Sequence, residues 1–217
     1  MTQELVEKYI DIFARKFEYH EYNPDSNPKN YENGAEYKVN IEKAIQYYNK
    51  ILGVNIPESY FFYYKFGFNL VLPGLSIENP SAKLFDNIPE HIKKMYLESD
   101  YLLESNKDLK EFYKFPDYFI IFSNVGNGDL IYFNYNDLDK VSGEPSCYYY
   151  DHEYLPVDEE KQLIDYDAID YSKEQKYSYK IADNYQDLVI KSIRGCLTYS
   201  PELKLPEDKE PDFKLFK

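Results

Sequence analysis

The sequence predicts an α+β fold in which a mostly antiparallel sheet is flanked by helices. Two apolar runs, Tyr118–Phe122 and Leu130–Phe133, are separated by a turn rich in asparagine and glycine, which is typical of a β-hairpin. Segments with helical spacing of apolar residues precede and follow this hairpin. Strands joined by short turns are antiparallel, so we expect the helices to cover one face or the edges of the sheet.

Helical spacing and end signals define the predicted helices of the main domain. They are Ile41–Leu52, Pro57 to about Phe66, Pro89 to about Leu103, and Tyr185 to about Cys196. Asn40 is a candidate cap of the first helix, Gly53 ends it, and Asp183 or Asn184 caps the last. We expect Asn106–Lys114 to be a long loop that leads into the hairpin.

Further strands are predicted from short apolar or tyrosine-rich runs. They are Phe68–Leu72, Leu75–Glu78, Ser146–Tyr154 and, as a short strand or an irregular stretch, Tyr177–Ile181. Asn134–Glu144 is polar and typical of turns, whereas Leu155–Gln175 has no clear pattern.

Three regions follow from these patterns. Residues 1–35 are expected to form an N-terminal extension, with a helix over Leu5–Phe17 and then a loop rich in proline and asparagine. Residues 36–200 form the main α+β domain. Residues 201–217 are a charged, proline-interrupted tail that we expect to pack weakly.

The charge is strongly acidic and uneven along the chain. The net charge is −14, and the segment Glu144–Glu174 contains ten acidic residues against Lys161 and Lys173. Because phosphates are bound by basic patches, this balance argues against nucleic acid or an anionic membrane as a partner. It favours a basic protein partner, although acidity also serves simple solubility.

Tyrosine is unusually frequent, with 26 residues against 14 phenylalanines and no tryptophan. One explanation is a codon bias that also enriches asparagine, isoleucine and lysine. The other is a contact surface, because tyrosine offers a large apolar body and a polar tip at interfaces. We expect codon bias to account for the total number of tyrosines, and an interface would account for local clusters.

The search for catalytic chemistry gives no enzyme class. Cys147 and Cys196 lack metal-ligand spacing, and no nucleophile elbow, zinc-protease motif or phosphate loop occurs. His152 lies between Asp151 and Glu153, but strand alternation would put the imidazole on the opposite face from both carboxylates. No metal or cofactor is therefore expected. We expect a reduced, cytoplasmic protein. The sequence has only two cysteines, no secretory signal and no apolar run of the roughly 20 residues that a membrane span needs.

The order of several segments resembles the SUKH superfamily, which groups bacterial toxin-immunity proteins with a fungal cell-wall regulator. The segments are the helix Ile41–Leu52 followed by LGVNIPESYFFYYKFGFN, the hairpin FPDYFIIFSNVGNGDLIYFNY with its Gly128-Asp129 step, the strand SCYYYDHEY and the closing helix DNYQDLVIKSI. The resemblance spans roughly Ile41 to Cys196. It implies a mostly antiparallel sheet with flanking helices, no enzymatic activity and, for bacterial members, a cytoplasmic immunity protein that binds a cognate toxin, often a nuclease.

The resemblance and the acidity together predict where a basic toxin would bind. An acidic inhibitor suits a nuclease because a nuclease carries basic groups for phosphate. The expected contact residues are Tyr149, Asp151, Glu153, Tyr154, Asp158, Glu159, Glu160, Asp165, Tyr166, Asp167 and Asp170. Tyr150 is a further candidate anchor, although Tyr148 and Tyr150 would instead be core if they share the inner face of the strand. The alternative function is a regulatory or scaffold module of the same fold.

Overall fold

A computed structural model describes residues 41–62, 101–126 and 128–198. The predicted N-terminal extension, the strands Phe68–Leu72 and Leu75–Glu78, the start of the helix at Pro89, and the tail 201–217 lie outside the described residues.

The described chain contains four α-helices and six strands. The helices are α1 (Ile41–Leu52), α2 (Glu58–Phe62), α3 (Tyr101–Tyr113) and α4 (Tyr185–Thr198). The strands are β1 (Phe119–Gly126), β2 (Asp129–Leu138), β3 (Pro145–Tyr150), β4 (Val157–Asp158), β5 (Leu163–Ile164) and β6 (Ser178–Ala182). Among these helices, none is long and apolar enough to cross a lipid bilayer.

The main sheet is antiparallel, with strand order β1-β2-β3-β6, and the α+β prediction is confirmed. Gly128 adopts φ +95 at the β1–β2 turn, a conformation that favours glycine. The predicted hairpin strands are present and longer than expected, because β2 continues to Leu138 through part of the predicted turn region. Strands β4 and β5 form a separate two-stranded hairpin.

One face of the sheet packs against helices α2 and α4. Phe122 and Phe133 stack with ring centroids 4.1 Å apart, and Tyr60 from α2 meets both rings edge-on. Tyr185 from α4 completes this aromatic cluster at 5.3 Å from Tyr60. Residues that alternate with these along each strand point to the opposite face.

The opposite face carries a second aromatic core. Phe119, Tyr132, Tyr148 and Tyr150 are buried there, and Phe115 packs edge-on against Tyr150 at 4.8 Å. The alternative core assignment for Tyr148 and Tyr150 is therefore confirmed. This face is covered by the end of α3 and by side chains from the region after β3: Leu155, Tyr166, Ile169, Tyr171 and Tyr177.

The prediction of a loop over Asn106–Lys114 is wrong, because α3 continues to Tyr113. Asn106 has low helix propensity, but its buried side chain accepts from Ile121 N (2.9 Å) and donates to Ile121 O (2.6 Å). It thereby satisfies the backbone of β1, which is an edge strand of the sheet within the described residues. The helix ends at Tyr113, and Lys114 after it takes φ +52, where glycine is the usual residue. The stop signal in the sequence is therefore Pro116, three residues beyond the helix, and not a glycine.

The strand predicted over Ser146–Tyr154 is too long. β3 ends at Tyr150, and His152–Tyr154 form a 3-10 turn capped by Asp151. The side chain of Asp151 accepts from Glu153 N at 3.0 Å, which favours the turn over continued pairing. Alternation along a strand therefore does not apply beyond Tyr150.

Candidate functional site

The acidic segment, defined as residues 151–174, crosses one face of the molecule after β3. It consists of the 3-10 turn His152–Tyr154, the β4–β5 hairpin, and a second 3-10 turn, Tyr166–Ala168. Leu155 and the half-buried Tyr171 anchor it to the core below. Its predicted partner-binding residues therefore sit on an ordered cover of the sheet.

Aspartates at four positions fix the shape of the acidic segment. Each accepts a hydrogen bond from the backbone N–H two residues later, at 2.9–3.1 Å: Asp151, Asp158, Asp165 and Asp170. Such turns are a local alternative to helix or sheet. Hydrogen bonds from the Ser172 hydroxyl and from Lys173 lower the pKa of Asp170 to about 2. These four carboxylates have a structural role beside any role in binding.

The remaining predicted carboxylates are exposed and point to solvent: Glu153, Glu159, Glu160 and Asp167. Asp167 pairs with Lys114 at 3.3 Å. Within the described part of the chain, no ion pair involves the side chains of Glu153, Glu159 or Glu160. These three glutamates are therefore available to a partner.

The β4–β5 hairpin also exposes large apolar side chains. Val157 is 53% exposed, Leu163 64% and Ile164 36%. Val157 and Ile164 are directly paired, so they share one side of the hairpin, and Leu163 lies opposite Asp158 on the other. We call these three residues, with Glu159 and Glu160 at the turn between them, the hairpin patch.

The predicted tyrosine anchors have different environments. Tyr154 is 56% exposed. Tyr149 is half-buried, donates its hydroxyl to Asp129 Oδ2 at 2.7 Å and lies 5.6 Å from the ring of Tyr179. Tyr166 is half-buried against the core with Lys114 Nζ 5.6 Å from its ring centre. Tyr154 is thus the most accessible of the three.

A second cluster forms where the β1–β2 turn meets the end of β3, and sequence reasoning did not find it. His152 Nδ1 lies 2.8 Å from Asp129 Oδ1, and His152 N–H donates to the same oxygen at 3.1 Å. Ligand atoms of Asp129, Asp151 and His152 all lie within 4.8 Å of one another. The expectation concerned Asp151, His152 and Glu153 on one strand, and its premise is wrong because β3 ends at Tyr150. Asp151 and His152 converge with Asp129 from β2, and Glu153 is not part of this group.

The electrostatics of Asp129 follow from this cluster. Burial alone would raise the pKa of its carboxyl, but hydrogen bonds from His152 and Tyr149 outweigh burial and lower it. The backbone of Gly128 lies so close to the His152 ring that a Cβ atom at this position would be 3.1 Å from the ring. A residue with a side chain would therefore crowd the cluster. The Gly128-Asp129 step was the one sequence signal that could have indicated a special position.

A polar cavity lies between β2, β3 and the end of the acidic segment, lined in part by Tyr118, Asp137 and Glu174. Asp137 pairs with Lys180 at 3.0 Å. Burial would raise the pKa of Asp137, but hydrogen bonds from Lys180 and Tyr148 lower it. A general acid needs a raised pKa, so Asp137 does not suit the general-acid role in a paired-carboxylate site.

Comparison with known proteins gives no assignment. No protein-family model matches the chain, and a search of curated proteins finds no match.

Proposed function

We propose that this protein is a non-enzymatic immunity protein of SUKH type that binds and neutralises a basic protein toxin. The observation that carries the proposal is the hairpin patch, in which Val157 and Ile164 are exposed on one side of the hairpin and Leu163 on the other. Glu159 and Glu160 at its turn have no ion-pair partners among the described residues.

The apolar part of the patch supports a protein partner. Ordered apolar side chains that remain exposed are typical of contact surfaces, and they gain free energy when a partner removes them from water. An isolated hairpin of two-residue strands adds little stability of its own. Retaining such an element on the surface is therefore easier to explain by binding than by folding.

The charged part of the patch supports a basic partner. Glu159 and Glu160 are exposed at the turn, and Glu153 lies close by in sequence. A negative rim attracts a positively charged protein over roughly a Debye length and excludes acidic ones. A nuclease toxin fits this requirement because its substrate site is positively charged.

Charge reversal of the patch tests the proposal. The candidate partner is any basic toxin domain that the neighbouring genes encode, produced with an inactivated catalytic centre for binding and in active form for co-expression. We expect Glu159→Lys with Glu160→Lys to weaken binding at least tenfold and to reduce protection of the host cell, because both substitutions oppose a basic surface. Glu104→Lys with Asp108→Lys on α3 is the matched control, since it changes the net charge equally at exposed positions away from the hairpin.

Equal weakening by both double variants would show that only net charge matters and would contradict the hairpin patch as the contact. Absence of binding and of protection with the unmodified protein would remove the immunity function.

A further inference from the structure

We propose that Asp129, Asp151 and His152 form a binding site for a divalent first-row transition-metal cation, with Zn²⁺ as the representative ion. The three side chains offer two carboxylate oxygens and one imidazole nitrogen within 4.8 Å of one another. This site is independent of the toxin-binding proposal, since it uses none of the hairpin patch residues.

The spacing of the ligand atoms suits one cation. Zn²⁺ bonds to imidazole nitrogen and carboxylate oxygen at about 2.0–2.2 Å, which places neighbouring ligand atoms about 3.4 Å apart in a tetrahedral site, slightly farther than in the hydrogen bond that the ion would replace. His152 Nδ1 and Asp129 Oδ1 are 2.8 Å apart. Without metal the same contact is a hydrogen bond. With metal the cation takes the place of the proton between them.

The ligands are held in position before any ion binds. Asp129 Oδ1 accepts from His152 N–H, and Asp151 N–H donates to Tyr177 O at 3.0 Å, so the end of β3 is fixed on both sides. The hydroxyl of Tyr149 donates to Asp129 Oδ2, which is the type of supporting contact that orients ligands around a metal. Preorganisation of this kind lowers the entropic cost of binding.

The charge balance also favours a cation. Two carboxylates face one imidazole, and among the described residues neither Asp129 nor Asp151 has a lysine or arginine ion-pair partner. A mixture of imidazole and carboxylate ligands suits Zn²⁺ and its first-row neighbours, whereas Ca²⁺ and Mg²⁺ require more oxygen ligands. The half-exposed ring of His152 leaves room for water to complete the coordination.

Calorimetric titration of the full chain, without a histidine tag and freed of metal by chelator dialysis, tests the site with Zn²⁺ and with Mg²⁺. We expect saturable binding of one Zn²⁺ and at least tenfold weaker binding of Mg²⁺. His152→Ala and Asp151→Asn should each weaken Zn²⁺ binding at least tenfold, because the first removes the imidazole ligand and the second replaces a charged carboxylate ligand with a neutral amide. Glu153→Gln is the matched control, an adjacent carboxylate outside the cluster, and should leave the affinity unchanged.

Co²⁺ provides a second readout, since its visible absorption reports coordination directly and should disappear in His152→Ala. Circular dichroism and thermal melting establish that each variant is folded. Absence of saturable Zn²⁺ binding, or unchanged Zn²⁺ affinity in folded His152→Ala, would overturn the proposal and leave Asp129 and His152 as a hydrogen-bonded pair.

Discussion

Several single side chains stabilise this fold by forming hydrogen bonds with backbone groups that would otherwise have no partner. Asn106 is the clearest case, because its amide serves both the N–H and the carbonyl of Ile121 on the edge strand β1. An edge strand otherwise presents such groups to other chains. Because asparagine has a low helix propensity, Asn106 favoured the wrong prediction of a loop over this segment. The sequence does not show that its side chain pairs with a strand 15 residues later.

Replacement of Asn106 should therefore be strongly destabilising. Asn106→Ala leaves two buried backbone groups without partners, and we expect a loss of about 2–4 kcal/mol in the free energy of unfolding. Chemical denaturation measures it. Asn136→Ala, an exposed asparagine on β2, should change stability by less than about 0.5 kcal/mol. Similar losses in the two variants would contradict the edge-strand role.

Glu144 gives a pH-dependent prediction at the same scale. Burial raises the pKa of its carboxyl, although the hydroxyl of Ser59 donates to Oε2 at 2.8 Å. A carboxyl whose pKa is raised on folding favours the folded state less as pH rises through and above its unfolded value. We expect Glu144→Gln, which keeps an acceptor for Ser59, to raise the melting temperature at pH 7.

That gain should shrink towards zero near pH 4, where the wild-type carboxyl is largely protonated. Melting curves at both pH values measure it. A destabilised Glu144→Gln at pH 7 would contradict the burial of an ionised group at this position.

At the scale of elements, alternation and turn chemistry predicted the sheet well, and helix α4 was predicted with its cap. Asn184 accepts from Asp187 N at 2.9 Å, and Gly53 takes φ +71 after α1, as expected. The acidic segment could not be assigned because it consists of Asx turns and two-residue strands, which have no period. Asp129 was missed because its partners lie 22 and 23 residues later, and a sequence pattern does not show such pairings.

The β4–β5 hairpin should be separable from the fold. Asp165 N donates to Pro156 O at 2.9 Å, so the ends of the segment 157–164 lie side by side. Replacement of 157–164 by Gly-Ser removes no buried side chain, and we expect the melting temperature to fall by only a few degrees.

The control is Leu155→Ala, just before the hairpin. Leu155 is part of the core under the acidic segment, so its truncation should cost about 2–4 kcal/mol. Denaturation of both variants is the measurement. A hairpin deletion that unfolds the protein would mean that the hairpin serves stability rather than contact.

For the whole molecule, the two faces of the sheet have different covers. Helices α2 and α4 cover one face, and α3 with the acidic segment covers the other. The cover that closes the core therefore also bears the exposed carboxylates and the hairpin patch. Ten acidic residues against Lys161 and Lys173 in Glu144–Glu174 make this part of the chain strongly negative, which suits long-range attraction of a basic protein.

The central claim is that the hairpin patch binds a basic toxin. The most direct test compares the affinity of a candidate basic toxin domain for the full chain with its affinity for the chain in which 157–164 is replaced by Gly-Ser. Calorimetry at low and at physiological salt measures both. We expect tight binding by the full chain that weakens as salt rises, and a loss of at least a hundredfold without the hairpin in a protein that remains folded. Undiminished binding by the folded variant would contradict the claim.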